Sequence, residues 1–263
     1  MKNKNIVYRI LILFVLISVV TNTACLFIRN SVITQEKLKA EYTVKSTIDR
    51  VEMKLETYIE KVQFLKKTIE SGIELNDAYF QSIASRLYGD DPAIKAIELA
   101  PNGVIQNVYP LKENKEVIGM NMLIERDRKQ AATVAKDTKK YTLEGPYDLK
   151  QGGKGALLYD PIYVNEKFWG FSILVIDWDA FLDEIHLSDL KKASYDFVIW
   201  KTDRVTKKKI IISQSSKNID SNTLLIKCKL PNNKWNFEIV PKQGWINTYV
   251  IRSLVIASVL IDF

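Results

Sequence analysis

The chain has 263 residues, with 38 Lys and Arg against 31 Asp and Glu for a net charge of +7; it is 47% hydrophobic and 26% charged. Such a composition excludes a disordered chain, a collagen-like repeat and a disulfide-stapled mini-protein, and the length suits one or two domains with a substantial core. One His and two distant Cys argue against a His/Cys metal cluster, so neither metal nor cofactor is expected.

The charge is unevenly spread. The first 29 residues carry Lys2, Lys4, Arg9 and Arg29 and no acid, which accounts for more than half of the surplus. These bases flank residues 10–28, an uncharged run long enough for about one bilayer crossing. The positive-inside tendency makes residues 1–9 a cytoplasmic tail and 10–28 a first transmembrane helix. A cleaved signal peptide is the competing reading, but the apolar run is long for one. The nearly neutral remainder has no basic stripe with interleaved aromatics, so no nucleic-acid partner is expected.

Val44, Ile48, Val51, Leu55, Tyr58, Val62, Leu65 and Ile69 follow in alternating steps of four and three. That is the a/d seam of a coiled coil, and it predicts a stalk helix over 30–72, roughly 60 Å long, with a homodimer through it. A long helix packed on its own domain has the same pattern. Gly72 ends the stalk, and a short helix capped by Asn76 and closed by Gly89 follows. Residues 96–100 and 104–109 read as a hairpin around Pro101-Asn102-Gly103. Residues 126–137 read as a helix whose Ala131, Ala132 and Ala135 allow close packing on a sheet.

Strands are then expected over 142–149, 156–164 and 168–175, with a Gly-rich loop at 151–155 between the first two. That loop lacks the Walker spacing and reads as a hairpin connection. Asp177 caps a helix carrying Phe181, Leu182 and Ile185. Four short strands, 196–201, 209–213, 224–229 and 235–240, complete a second, smaller sheet. Trp245 and Tyr249 suit an interfacial belt before the apolar 254–261, so residues 245–263 read as the start of a second transmembrane helix, truncated at Phe263. The fold class is therefore α+β: a long N-terminal stalk, then PAS-like antiparallel sheets, a larger distal one in 73–190 and a smaller membrane-proximal one in 191–243, flanked by transmembrane helices.

No nucleophile–base–orienter set stands out. His186 reads as a helix-end residue, and the acid pairs Asp90-Asp91 and Asp177/Asp179 as turn and cap chemistry. Aromatic and polar residues on or near the central strands suit a small-molecule pocket, with Tyr141, Glu144, Tyr147, Lys154 and Tyr159 as candidate ligand residues.

Residues 119–175 resemble the CHASE domain, an extracytoplasmic sensory module of histidine kinases and nucleotide cyclases. The likeness runs through Gly119-Met120-Asn121-Met122, the alanine-rich helix, Gly145-Pro146-Tyr147, Asp160-Pro161-Ile162-Tyr163 and Phe168-Trp169-Gly170-Phe171. It implies a PAS-like fold behind a long helix, ligand recognition by the distal sheet, and a cytoplasmic output domain of the diguanylate cyclase or histidine kinase type beyond this chain. Two residues before Pro146, where the cytokinin-sensing members carry a small hydroxyl residue, stands Glu144. The function expected is thus the small-ligand input module of a transmembrane receptor, at the cell membrane with residues 30–243 outside the cytoplasm. A membrane-anchored enzyme and a structural coiled-coil anchor are the other readings.

Overall fold

The computed structural model describes residues 2–253 and 256, apart from 205, 217, 218, 220, 221 and 248, without the side chains of 2–5 and 7. Most of the second membrane segment expected at 245–263 therefore lies outside the described residues. No Gly or Pro occurs before Gly72, and the chain up to that point forms one unbroken helix, α1 (Lys2–Glu70). At about 1.5 Å per residue this rod is about 100 Å long. Gly72, at φ 84°, turns the chain away, and the Ser71 amide donates to the Lys67 carbonyl. The N-terminal part of α1 is apolar and fully exposed, with the length and composition to cross a membrane.

α2 (Asp77–Tyr88) follows, its first turn held by the Tyr79 amide donating to Asn76 Oδ1 at 2.9 Å. The distal sheet has the order β2-β1-β5-β4-β3, antiparallel throughout. Its strands are β1 (Ile94–Pro101), β2 (Asn107–Tyr109), β3 (Thr142–Asp148), β4 (Lys154–Val164) and β5 (Lys167–Asp177). Between β2 and β3 lie a single-turn α3 (Leu111–Asn114), a 3-10 turn and α4 (Lys129–Thr138). The hairpin partner expected over 104–109 shrinks to three residues, because Val104 bridges Asn121 instead of continuing the strand.

α5 (Trp178–Glu184), capped by Asp177 as expected, and α6 (Ser188–Lys192) lead to the proximal sheet. That sheet has the order β7-β6-β9-β8, from β6 (Tyr195–Thr202), β7 (Lys209–Gln214), β8 (Leu224–Leu230) and β9 (Asn233–Pro241). Each sequence-predicted strand here falls within two residues of an observed one.

The distal sheet is buried on both faces, and its strands show which residue goes where. Ile97 and Leu99 of β1, Leu158 of β4 and Leu174 of β5 face α1. Their neighbours Ala96, Ala100, Leu157, Tyr159, Ile173 and Val175 face the opposite way, under α4 and the segment before it. The side chains alternate because strand residues point to opposite faces in turn.

The heptad residues Val44 to Ile69 all lie in one cluster with the α1-facing side of the distal sheet and the core of the proximal sheet. The seam read as a coiled coil is thus the surface on which α1 packs against its own domain. Burial on the two sheets stabilises this packing by about 1.5–3 kcal/mol for each large side chain. Polar contacts fix the rod in register: Lys54 bridges Glu184 and Asp91, Lys66 pairs with Asp160 at 3.1 Å, and Arg50 Nε donates to the Ile185 carbonyl. Trp245 also departs from expectation. It is 5% exposed in that same core, with its indole N–H donating to the Asn222 carbonyl, whereas Tyr249 is exposed.

Candidate functional site

The covered face of the distal sheet holds a buried acid and a buried base. In β1, Glu98 sits between Ala96 and Ala100 on the α4 side, and only 1% of it is exposed. Its Oε2 has no hydrogen-bond partner among the described residues. Burial pushes its carboxyl up to about 8, with the Arg128 guanidinium pulling the other way. Arg128 precedes α4 and is itself buried. Its Nη2 donates to the Asp148 carbonyl at 3.1 Å and its guanidinium lies 3.9 Å from the centre of the Tyr147 ring. Nη1 has no partner among the described residues. Both side chains line a cavity of about 10 Å³ with Met120, Met122 and Leu157, enough for one water molecule.

A second, larger cavity of about 340 Å³ opens between β3 of the distal sheet and β6 with its following turn in the proximal sheet. Gly145 makes this junction possible. At φ 139°, a Cβ there would stand 2.7 Å from Ala156 Cα, so only glycine lets β3 bulge against β4 at this point. The bulge lets Glu144 and Tyr147 line the same cavity. Lys201 ion-pairs with Glu144 and donates to the Gly145 carbonyl at 2.7 Å, while Arg204 Nε approaches Glu144 Oε2 at 3.4 Å.

The five sequence-predicted residues are not gathered in one place. Glu144 and Tyr147 line the junction cavity, and Tyr147 also floors the Arg128 site. Tyr159 is buried on the Glu98 side, its hydroxyl 3.9 Å from Met122 Sδ and its ring edge-on to Phe171. Burial raises the Tyr147 phenol to about 12. Lys154 is exposed at the start of β4, opposite Asp148. Tyr141 lines a separate groove of about 380 Å³ between α1 and the end of β8. Glu98, Arg128, Lys201 and Arg204 were missed. Glu98 alone carried a signal, as the single acid in the buried run Ala96-Ile97-Glu98-Leu99-Ala100.

A membrane-length helix continuing as the spine of two antiparallel sheets, with a polar pair shut beneath the distal one, defines a PAS-like sensory module. The CHASE domain model matches residues 74–211, more than half of the chain, and the chain belongs to that family. Among solved structures it is similar to the sensory domain of the Campylobacter jejuni chemoreceptor Tlp3 with isoleucine bound: 13% identity, TM-score 0.57, covering 86% of this chain and 98% of that one. The ligand-binding domain of the Pseudomonas aeruginosa PAO1 amino acid chemoreceptor PctB, in complex with L-Arg, matches at 14% identity and TM-score 0.56, over 76% and 93%. An extracellular ligand binding receptor from Desulfohalobium retbaense matches at 14% and 0.53 over 79% of this chain, which spans 39% of that receptor. These identities carry the fold. No curated protein matches the chain.

Proposed function

We propose that the chain is the extracytoplasmic input module of a transmembrane receptor, and that a small ligand binds between the distal sheet and α4, on Glu98 and Arg128. The observation that carries the site is the pair of buried, unpartnered atoms, Glu98 Oε2 and Arg128 Nη1, lining one cavity. An unsatisfied buried polar group is costly, so an acid and a base left open on the covered face are best explained by a ligand that completes both. A molecule joining a carboxylate to an ammonium group does so, with the carboxylate on Arg128 and the ammonium on Glu98. Isoleucine and L-Arg, held by the Campylobacter and Pseudomonas domains, have that combination. Tyr147 and Tyr159 flank the pair. The cavity is closed around one water's volume, so binding requires the flexible Met120 and Met122 to give way. Such a ligand favours an open form over this closed one, which is what a sensor needs to shift a population.

Residues 10–28 serve as the anchor, with the N-terminus inside and residues 30–243 outside. The distal unit (73–190) receives the ligand, the proximal unit (191–243) stands next to the membrane, and the output domain lies beyond this chain. The homodimer forms through the outer face of α1, where Leu38, Tyr42, Met53 and Phe64 are exposed. Thermal shift of the detergent-solubilised chain with each of the twenty amino acids tests the site. At least one is expected to raise Tm, and Glu98→Gln and Arg128→Gln to remove the rise. A panel with no shift refutes the amino-acid class, and a shift kept by both variants refutes the site.

A further inference from the structure

The cavity between the sheets has its own chemistry. Two cations of the proximal sheet, Lys201 and Arg204, converge on the single carboxylate of Glu144 from the distal sheet. Lys201 is 5% exposed, and its ammonium is satisfied by Glu144 and the Gly145 carbonyl. Arg204 is not satisfied in the same way. Its Nε reaches Glu144 Oε2 at 3.4 Å, and its Nη2 is buried with no hydrogen-bond partner among the described residues. Arg126 stands exposed at the cavity wall.

Asp127 and Asp203 also line the cavity, and the Asp203 charge favours the Lys201 ammonium, but neither is bonded to Arg204 Nη2. Asp203 Oδ1 accepts from the Thr206 amide at 2.6 Å and from its hydroxyl at 2.8 Å, which commits it to the turn after β6. Asp127 is exposed. One carboxylate thus serves two buried or half-buried cations, inside about 340 Å³ of open space. A guanidinium presents a rigid planar fork of donors, and its natural complement is a carboxylate or phosphate oxygen.

We propose that this junction is a second binding site, taking a small oxyanion (a low-molecular-weight carboxylate or phosphate) on the free edge of Arg204 beside the Glu144–Lys201 pair. The oxyanion accepts from Nη2, the buried donor left without a partner among the described residues. Its place is also distinctive. Arg204 follows β6 of the proximal sheet, whereas Glu144, Gly145 and Tyr147 belong to β3 of the distal sheet, so the occupant lies across the seam between them. It stiffens that seam independently of what binds beneath α4, and the receptor then responds to two chemical inputs.

Isothermal titration of the full chain in phosphatidylcholine nanodiscs tests this, with inorganic phosphate and with malonate as probes, at ionic strength held constant by sodium chloride. The wild-type chain is expected to bind at least one probe, and Arg204→Gln to weaken it at least tenfold. Arg204→Lys, which keeps the charge but loses the planar fork, is expected to fall in between. Lys192→Gln, at an exposed Lys paired only with Asp189, is expected to change nothing. Circular dichroism melts establish that each variant is folded; should Arg204→Gln not fold, the Arg204→Lys loss decides. Uptake of neither probe by the wild type overturns the proposal. So does equal binding by the Arg204 variants, or a loss in Lys192→Gln as large as theirs, which is diffuse charge attraction.

Discussion

Replacing Glu98 by Gln tests the buried charge directly, because it keeps the shape and removes the titration. In the folded chain burial raises this carboxyl from 4.5 to about 8. The folded state therefore holds a proton that the unfolded chain has already released across that interval. A raised carboxyl contributes most below pH 4.5, and its contribution falls as pH rises through about 8. At 1.36 kcal/mol per pH unit the whole interval amounts to about 5 kcal/mol, an upper bound that water entering the cavity reduces. The Gln variant has no such term. At pH 5 the two proteins should melt close together, and at pH 9 the variant should be the more stable by about 3–5 kcal/mol, or roughly 10 °C in Tm at this chain length. Melts followed by far-UV circular dichroism at each half pH unit from 5 to 9, compared as a difference, cancel every other titrating group. Parallel profiles across that range would refute the reasoning, since they would mean that Glu98 ionises in the fold at no cost.

Three further outcomes follow from the packing. Lys66→Ala strands Asp160, which is 1% exposed with Oδ2 already without a partner among the described residues, and should cost about 3–5 kcal/mol in chemical denaturation; adding Asp160→Asn should recover much of it. Gly145→Ala should destabilise by about 1–3 kcal/mol or more, because the new Cβ meets Ala156 Cα at 2.7 Å, and calorimetry of the full chain should show it as a lowered Tm. Met53→Asp with Phe64→Asp, at side chains 66% and 51% exposed, should weaken self-association in sedimentation while leaving Tm within about 1 °C, whereas Leu55→Asp should unfold the domain outright.

The contrast between Leu55 and Met53 shows where the sequence was legible and where it was not. A period of 3.5 states that one stripe of the helix is buried, and that was right for every heptad residue. It does not state what buries the stripe, because a sheet surface and a second helix both accept alternating steps of three and four. The strands were easier to read: alternation, β-branched residues and Gly, Asn or Pro at the turns put eight of the nine within a few residues of the observed positions, β2 being the exception. Its register depended on the Val104–Asn121 bridge, a long-range choice with no local mark. The site was least legible for the same reason. Lys201 and Arg204 lie more than fifty residues from Glu144, and they meet it only through the tertiary packing of β3 on the proximal sheet. Glu98 was legible in principle, as an acid inside an apolar strand, but periodicity alone cannot say that the strand is covered on both faces.

That double cover also constrains how a signal leaves the distal site. A ligand on the proposed Glu98–Arg128 site would act on the face of the sheet opposite the stalk: Leu157 and Tyr159 of β4 face α4, while Leu158 and Asp160 face α1. Close-packed interiors do not deform continuously, so a ligand that pushes on one face moves the sheet against the other as a body. On the α1 face that movement meets Lys66–Asp160 and the heptad side chains, and α1 runs uninterrupted back to the membrane-length segment. At the sheet's edge it meets a second contact, because Tyr147 under Arg128 and Glu144 against Lys201 belong to the same strand, β3. The first route drives the rod directly; the second drives the proximal sheet, which itself packs on α1 near its membrane end. Both converge on the same helix, so the rod need not slide through a rigid domain. Between the two sheets β3 is held both by Glu144 on Lys201 and by the turn between β8 and β9, where the Leu143 amide donates to the Pro231 carbonyl and Asn232 donates to Thr142 Oγ1 at 2.9 Å.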